Sequence, residues 1–569
     1  MDERSCRRSS RNRLTLLGGT SVVFGLLVCL PVAGGEPQEK AALATLTATG
    51  APRQTPWTRS FNPFRADSLY PTWGGVYEPL IVCNYSTGDC QPWLAMSYAW
   101  SADNLVLRFK TRAGVTWSDG TPFSAADVAF TFDLMRRFPV LDRAAIWQFL
   151  ADVTAPDAQT VVFTFKRPYT PGLLYVGEHP IVPAHKWKGV AQPDTFDDPA
   201  PVGTGPFVTV RKFEPTAYEL GRNKTYWQAG KPTVDVLRMR LYRSNDEVAR
   251  ALAANEVDWA SLFLPNIEKD WVGADPARHQ YWYPDSGPTV LLYLNTRLKP
   301  FDDVSVRKAV SMALDRPRLT KDAMKGYAGP ADATGLAESQ KRWKNATLAQ
   351  TPWTRRDVAT ANALLDTAGL ARGDDGVRAV PGGGAMRYTL PVPQGWSDWN
   401  EAADIIRQNL AEVGIAVTVR LVDMNTWNDA LRRNRFELCI GFGSRGPTPY
   451  EFYRGQMDIT LVRPEGEVSP VNFHRFGDAE ATALLRRLEA TSDQAETARV
   501  IEDLQRQYVQ KAPSVPLFTA PIWGVYNTTR LTGFPSRFRP YAAATPGGQA
   551  RGPVPGADSL PVLLEVKPR

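Results

Sequence analysis

The sequence predicts an α/β protein assembled from several compact units, and three observations carry that expectation. Its 569 residues exceed the roughly 100–200 that one domain usually holds. Hydrophobic residues at 43% and charged residues at 22% sit near globular averages, which excludes a disordered chain and a membrane bundle. Between residues 386 and 453 the apolar period switches repeatedly between two and 3.6. That is the pattern of strands alternating with helices, and it favours parallel strands joined by right-handed crossovers.

The chain opens on an export signal over residues 1–35. Arg4, Arg7, Arg8, Arg11 and Arg13 form a positive start, Leu14 to Val32 carry no charge, and Ala33, Gly34 and Gly35 follow as small residues. The alternative, a membrane anchor, is weakened by Gly18, Gly19 and Gly25, and no second apolar run of that length follows. Arg7-Arg8 leaves twin-arginine export open beside the general route. Leu26-Leu27-Val28-Cys29 approximates a lipoprotein cleavage site, making Cys29 the candidate point of acylation, although Val28 stands where a small residue is normally needed. The leader holds a net charge of +3, so the chain's +7 becomes +4 without it. That charge is spread along the sequence rather than gathered in a stripe, which argues against nucleic acid as a partner.

Residues 36–56, rich in Ala, Thr and Pro, read as a flexible tether. Cys83 and Cys90 bracket a turn-rich stretch between two apolar runs, and a hairpin there would bring the thiols to bridging distance; two free thiols are the alternative. Cys439 sits in an apolar strand and reads as inert core. His179, His185, His279 and His474 offer no zinc spacing, and no cofactor is expected. Leu105–Phe109 and Val161–Phe165 read as strands. Between them Ser124 caps a helix from Ala125 to Arg136, with Val128, Phe132 and Met135 inward. Beyond Gly533 the abundance of Pro and Gly predicts an extended or frayed tail.

The unit at 386–453 is read in most detail. Tyr388, Leu390 and Val392 alternate as a strand, and Asp398 or Asn400 can cap a helix that Gly414 ends. Ile415 to Leu421 alternate again, a short helix near Thr426–Arg433 follows, and Phe436 to Ile440 make a third strand. Ligands of such sheets lie beyond the carboxyl ends of the strands. There the sequence places Gln394–Trp399, Asp423–Trp427 and Phe442–Tyr453, each setting aromatics beside short polar side chains. Gly441-Phe442-Gly443-Ser444-Arg445-Gly446 matches G-x-G-x-x-G, but Pro447-Thr448-Pro449 blocks a helix opening there, so a nucleotide site is not expected. Its glycines would instead let backbone approach a ligand or another lobe. No G-x-S-x-G, no H-E-x-x-H and no nucleophile beside a histidine is present.

Three blocks resemble the family 5 extracellular solute-binding proteins that serve ABC importers. They are Leu107-Arg108-Phe109 through Gly114–Phe123 to Val128; Pro201–Phe207 with Asn223–Trp227; and Leu294–Arg297 with Pro300–Val304 and Val306 to Asp315. The resemblance spans about residues 57–530. It implies a two-lobed type II periplasmic-binding-protein fold with an extra subdomain on the first lobe. Lobe I would comprise 57–76, 201–298 and 518–569, the subdomain 77–200, and lobe II 299–517. It also implies a monomer without chemistry of its own, exported to the periplasm or cell exterior and delivering a small oligomeric solute to a membrane permease. The Asp119-Gly120 turn is a marker of the family that physically reads as scaffold.

Peptide binders of the family carry an Asp-Tyr-x-Asp-Pro-like segment after the equivalent of Phe442. Here Gly446-Pro447-Thr448-Pro449-Tyr450 stands in that region instead. This run resembles the cellobiose and β-oligosaccharide binders, so the expected ligand is a β-linked cello- or chito-oligosaccharide, with an oligopeptide as the alternative and an exported glycosidase as a distant one. Sugar rings pack their C–H faces on indoles and bond their hydroxyls to short polar or charged groups. The expected ligand-binding residues are Asn62, Trp73, Trp396, Asp398, Trp399, Trp427, Phe442, Arg445 and Tyr450.

Overall fold

The computed structural model describes residues 43–65, 67–547 and 556–569. The leader and Cys29 lie outside the described residues. The expected tether contains strand β1 (Thr45–Thr49), whose residues are almost all buried. Its Ala/Thr composition conceals a half-apolar strand that fills the middle of a sheet.

The chain then builds a subdomain. β2 (Ile81–Asn84) and β3 (Asp89–Pro92) form a hairpin with Cys83 opposite Cys90, and the two are disulfide-bonded. β4 (Ala95–Trp100), β5 (Val106–Thr111), β6 (Leu150–Asp157) and β7 (Thr160–Phe165) make an antiparallel sheet ordered β4-β5-β7-β6. Helix α1 (Ala125–Arg137) covers it, held at its start by a capping box between Ser124 and Asp127. At the family-marker turn, Asp119 pairs with His185 at 2.7 Å, a contact internal to the subdomain.

Returning, the chain lays down β8 (Phe207–Glu214), β9 (Ala217–Arg222), β10 (Val236–Arg240), β11 (Trp259–Ala260) and β12 (His279–Trp282). These join β1 in the first lobe's sheet, where β10, β1 and β11 are mutually parallel. β13 (Thr289–Leu294) is apolar on both faces and wholly buried. It lies in the second lobe's sheet, so that lobe begins about ten residues before the expected boundary at 299.

In the second lobe β14 (Arg387–Pro393) pairs in parallel with β15 (Ala416–Val422), connected through helix α2 (Ser397–Glu412). Helix α3 (Met424–Arg432) leads to β16 (Leu438–Phe442). The strand–helix alternation is as expected, with two differences. β16 lies beside β14 but forms its ladder with β13, antiparallel. The α2 cap falls on Trp396 rather than on Asp398 or Asn400. Helix α4 (Tyr450–Met457) begins after the Pro-Thr-Pro run, and α5 (Ala479–Ala490) and α6 (Gln494–Lys511) close the lobe. β17 (Val515–Thr519) pairs with β13, and β18 (Gly524–Asn527) rejoins the first sheet.

The tail is not frayed where it is described. β19 (Leu531–Thr532) pairs with β20 (Lys567–Pro568), and helix α7 (Leu560–Glu565) buries Leu560, Val562, Leu563 and Leu564. Trp259 Nε1 donates to the Ala544 carbonyl at 2.8 Å. The apolar residues between the prolines decide the outcome, since their burial outweighs the turn propensity around them.

Candidate functional site

Strand carboxyl ends from both lobes converge on one cavity of about 530 Å³. In the second lobe β14 ends at Trp396, Asp398 and Trp399, β15 at Met424, Asn425 and Trp427, and β16 at Phe442, Gly443 and Ser444. The first lobe obeys the same rule. Its parallel strands β1, β10 and β11 deliver Gly50–Pro52, Asn245, and Ser261 with Phe263.

The second lobe's wall is an aromatic cluster. The Trp399 ring lies 5.0 Å from Trp396, 5.9 Å from Trp427 and 4.8 Å from Phe442. Trp399 and Trp427 are 3% and 6% exposed, and Trp427 Nε1 donates to the Ile440 carbonyl at 3.1 Å. These two rings brace the wall. Trp396 and Phe442 are half-buried and supply its open face. The first lobe contributes Trp73, whose Nε1 donates to the Pro63 carbonyl at 2.8 Å, and Phe263 packed 5.2 Å from Trp523.

Three ionisable groups reach the cavity. Burial raises the Asp398 carboxyl to about 6, against the opposing pull of backbone N–H groups including that of Trp399. Burial brings Arg143, in the subdomain loop after α1, down to about 10, and the nearby Arg432 charge adds to the effect. Arg432, ending α3, is also lowered, first by burial and then by Arg433.

Asn62, Arg445 and Tyr450 do not line the cavity. Asn62 is fully buried; its Nδ2 donates to Pro193 O and Phe196 O, and its Oδ1 accepts from Phe64 N–H, so it clamps a loop. The Arg445 guanidinium lies 5.2 Å from the centre of the Tyr85 ring, tying the second lobe to the disulfide hairpin. Tyr450 donates to Glu489 at 2.6 Å and meets the Tyr169 hydroxyl at 3.0 Å. Each reads as polar in sequence, yet each spends its polarity on scaffold or on the joint between subdomain and second lobe.

The lobes touch around the cavity. Asn245 Nδ2 donates to Ser397 Oγ at 3.1 Å, and Arg454 donates to the Tyr175 hydroxyl at 3.1 Å. At Gly395 a Cβ would stand 2.6 Å from the Arg243 carbonyl oxygen. The motif glycines serve packing within the second lobe: a Cβ at Gly441 would meet the Tyr293 ring and one at Gly446 the Glu451 carboxylate. Among the described residues no group of three or more His, Cys, Asp or Glu is placed to hold a metal ion.

Sequence reasoning missed Gly50–Pro52, Arg143, Asn245, Phe263, Arg432 and Trp523. The strand-end rule applied to the first lobe points to Gly50–Pro52, Asn245 and Phe263, but the Ala/Thr-rich composition of β1 reads as tether. Arg143 carries no local signal, because only the tertiary fold brings its loop to the cavity.

The fold is shared with known proteins. The family model for bacterial extracellular solute-binding proteins, family 5, matches residues 89–458. The glutathione-binding protein GsiB of Escherichia coli K12 is 26% identical over 470 residues, covering 78% of this chain and 82% of that protein. A periplasmic oligopeptide-binding protein of Thermotoga maritima, solved with mannohexaose bound, is 24% identical. It superposes with a TM-score of 0.84 over 92% of this chain and 99% of its own. The periplasmic binding protein DppA of Helicobacter pylori, solved with the peptide STSA, is 20% identical with a TM-score of 0.75, over 92% and 98%.

Proposed function

Since the chain belongs to the bacterial extracellular solute-binding proteins of family 5, binding proteins of ABC importers, we propose that it captures a short β-linked oligosaccharide by lobe closure and presents it to its permease. The observation that carries this reading is the aromatic wall, where Trp396 and Phe442 offer flat faces braced by Trp399 and Trp427, across the cavity from Trp73, Phe263 and Trp523. Such rings match the C–H faces of pyranoses, while Asn245, Asn425, Asn428 and Asp398 offer partners for hydroxyls. The volume suits a short oligomer, lying within the roughly 300–1,000 Å³ of small-molecule sites. The mannohexaose carried by the Thermotoga neighbour supports the same ligand class.

An oligopeptide is the second reading, favoured by Asp398 as a counter-charge for an amino terminus and by the ligands of GsiB and DppA. The cavity's lining among the described residues holds one carboxylate, Asp398, whereas glycoside hydrolysis uses a pair. Isothermal titration of the chain lacking residues 1–35 against cello-, chito- and manno-oligosaccharides and a tripeptide mixture decides between the readings. Heat from a sugar with none from peptides is expected; tight peptide binding with no sugar heat refutes the sugar proposal.

A further inference from the structure

Two guanidinium groups face the cavity from different parts of the fold, Arg143 from the subdomain and Arg432 from the end of α3. Both are half-buried and line the same cavity, and the Arg432 charge disfavours that of Arg143. Most arginines this deep in a protein answer a carboxylate. Here, among the described residues, neither side chain forms an ion pair or a hydrogen bond. The neighbouring carboxylates are committed elsewhere: Asp67, whose charge reaches Arg143, pairs with Arg65 at 2.8 Å. Asp142 accepts from the backbone of Ile146 and Trp147 at 2.8 and 2.9 Å, and Asp429 binds Arg433 at 2.6 Å. Asp398 shares the cavity but makes no ion pair with either arginine among the described residues.

Two guanidinium groups on one cavity wall, neither in a direct ion pair among the described residues, are a poor scaffold and a ready anion site. A guanidinium presents a planar fork that matches a carboxylate with two parallel bonds. A neutral hydroxyl accepts from such a fork without neutralising it, which leaves the repulsion in place.

We propose that Arg143 and Arg432 form a carboxylate subsite, so that the solute is an acidic oligomer, an oligosaccharide bearing a uronate group. The inference rests on the sugar reading for its ligand class. A peptide's terminal carboxylate presents the same chemistry, and the test separates the two sources.

Titration calorimetry on the chain lacking residues 1–35 uses two matched pairs. One is a β-1,4-linked disaccharide ending in glucuronate against its methyl ester; the other is trialanine against its carboxamide. The glucuronate disaccharide is expected to bind at least tenfold more tightly than its ester, with the preference shrinking as salt rises. Arg432→Gln and Arg143→Gln are expected to weaken the free acid at least tenfold while leaving the ester within twofold and the melting temperature within a few degrees. If only trialanine binds, with its amide silent and the arginine variants inactive toward it, the carboxylate subsite stands and the sugar reading falls. Equal binding of acid and ester, equal loss of both in the arginine variants, or silence of every carboxylate probe overturns the subsite.

Discussion

Gly395 provides a direct test of closure. Its φ is +91°, and a Cβ there would sit 2.6 Å from the carbonyl oxygen of Arg243 on the opposite lobe. That oxygen is fixed, since it accepts from Gln54 Nε2 at 2.8 Å while the Arg243 N–H donates to Glu247 at 2.7 Å. Restoring an ordinary contact of 3.4 Å requires the lobes to part by about 0.8 Å. A gap of about 0.5–1 Å forfeits a quarter to a half of the dispersion energy across an interface, and every ring facing the ligand across the cavity shares that loss. Gly395→Ala should therefore weaken ligand binding about 10–100-fold, equivalent to ~1.4–2.7 kcal/mol. Positive φ also strains alanine, by roughly 1–2 kcal/mol, and this acts on stability in open and closed forms alike. Gly376→Ala isolates that second effect, because Gly376 has φ +77° and nothing within 4 Å of its Cβ position. Calorimetric titration with the sugar that binds, beside urea unfolding of both variants, separates the two. Gly376→Ala should lose stability and keep its affinity, whereas Gly395→Ala should lose both. Equal affinity in the two variants would refute the argument that closure at Gly395 is needed for binding.

Trp396→Ala should abolish sugar binding with little change in unfolding midpoint, because its ring is half-buried at the cavity. Trp427→Ala should instead cost about 3–5 kcal/mol of stability, as a ring 6% exposed that also holds the Ile440 carbonyl; intact stability would make it a free platform. Asp398 is raised from 3.8 to about 6 in the folded chain, so the native state binds its proton more tightly than the unfolded one. Stability should then fall as pH rises from 4 to 6 and stay lower above 6, by at most ~3 kcal/mol. Asp398→Asn should raise the unfolding midpoint at pH 7.5 and leave it unchanged at pH 4; a loss at pH 7.5 would show that the charge is needed. Tyr450→Phe strands the buried Tyr169 hydroxyl and should cost about 1–3 kcal/mol in urea unfolding; lost binding at unchanged stability would return Tyr450 to the ligand site.

How far sequence reveals this molecule depends on how local the determining interactions are. The β14–α2–β15–α3–β16 alternation was legible because its periodicity is confined to each element, and the strand-end rule turned it into a cavity wall. Trp396, Asp398, Trp399, Trp427 and Phe442 all follow from that one inference. Partners distant in sequence were not legible. β13 is apolar on both faces, a signature shared by many buried strands, and only its ladders with β16 and β17 assign it to the second lobe. β1 lacked a strong alternation and was hidden by its Ala/Thr composition, which also hid the first lobe's half of the site. Asn62, Arg445 and Tyr450 show the converse. A polar side chain near an expected cleft carries no mark of whether it faces the ligand or other protein groups: Asn62 clamps a loop, and Arg445 and Tyr450 sit at the joint between subdomain and second lobe.

Closure is where these separate features act together. The bonds across the lobes include neutral pairs, such as Asn245 to Ser397 and Tyr169 to Tyr450, and charged ones, where Arg454 meets Tyr175 and Arg167 of the subdomain reaches the buried Glu489. Each neutral one contributes only about 0.5–1.5 kcal/mol net, set against the ordering of the side chains that make it. Closing also brings the Arg143 charge of the subdomain toward the Arg432 charge of the second lobe, which opposes it. A ligand shifts the balance toward the closed form by what it binds better in that form. A ring that fills the aromatic wall supplies apolar burial, and a carboxylate removes the repulsion between the arginines. A solute with both features favours closure through two independent terms, whereas a neutral sugar supplies only the first.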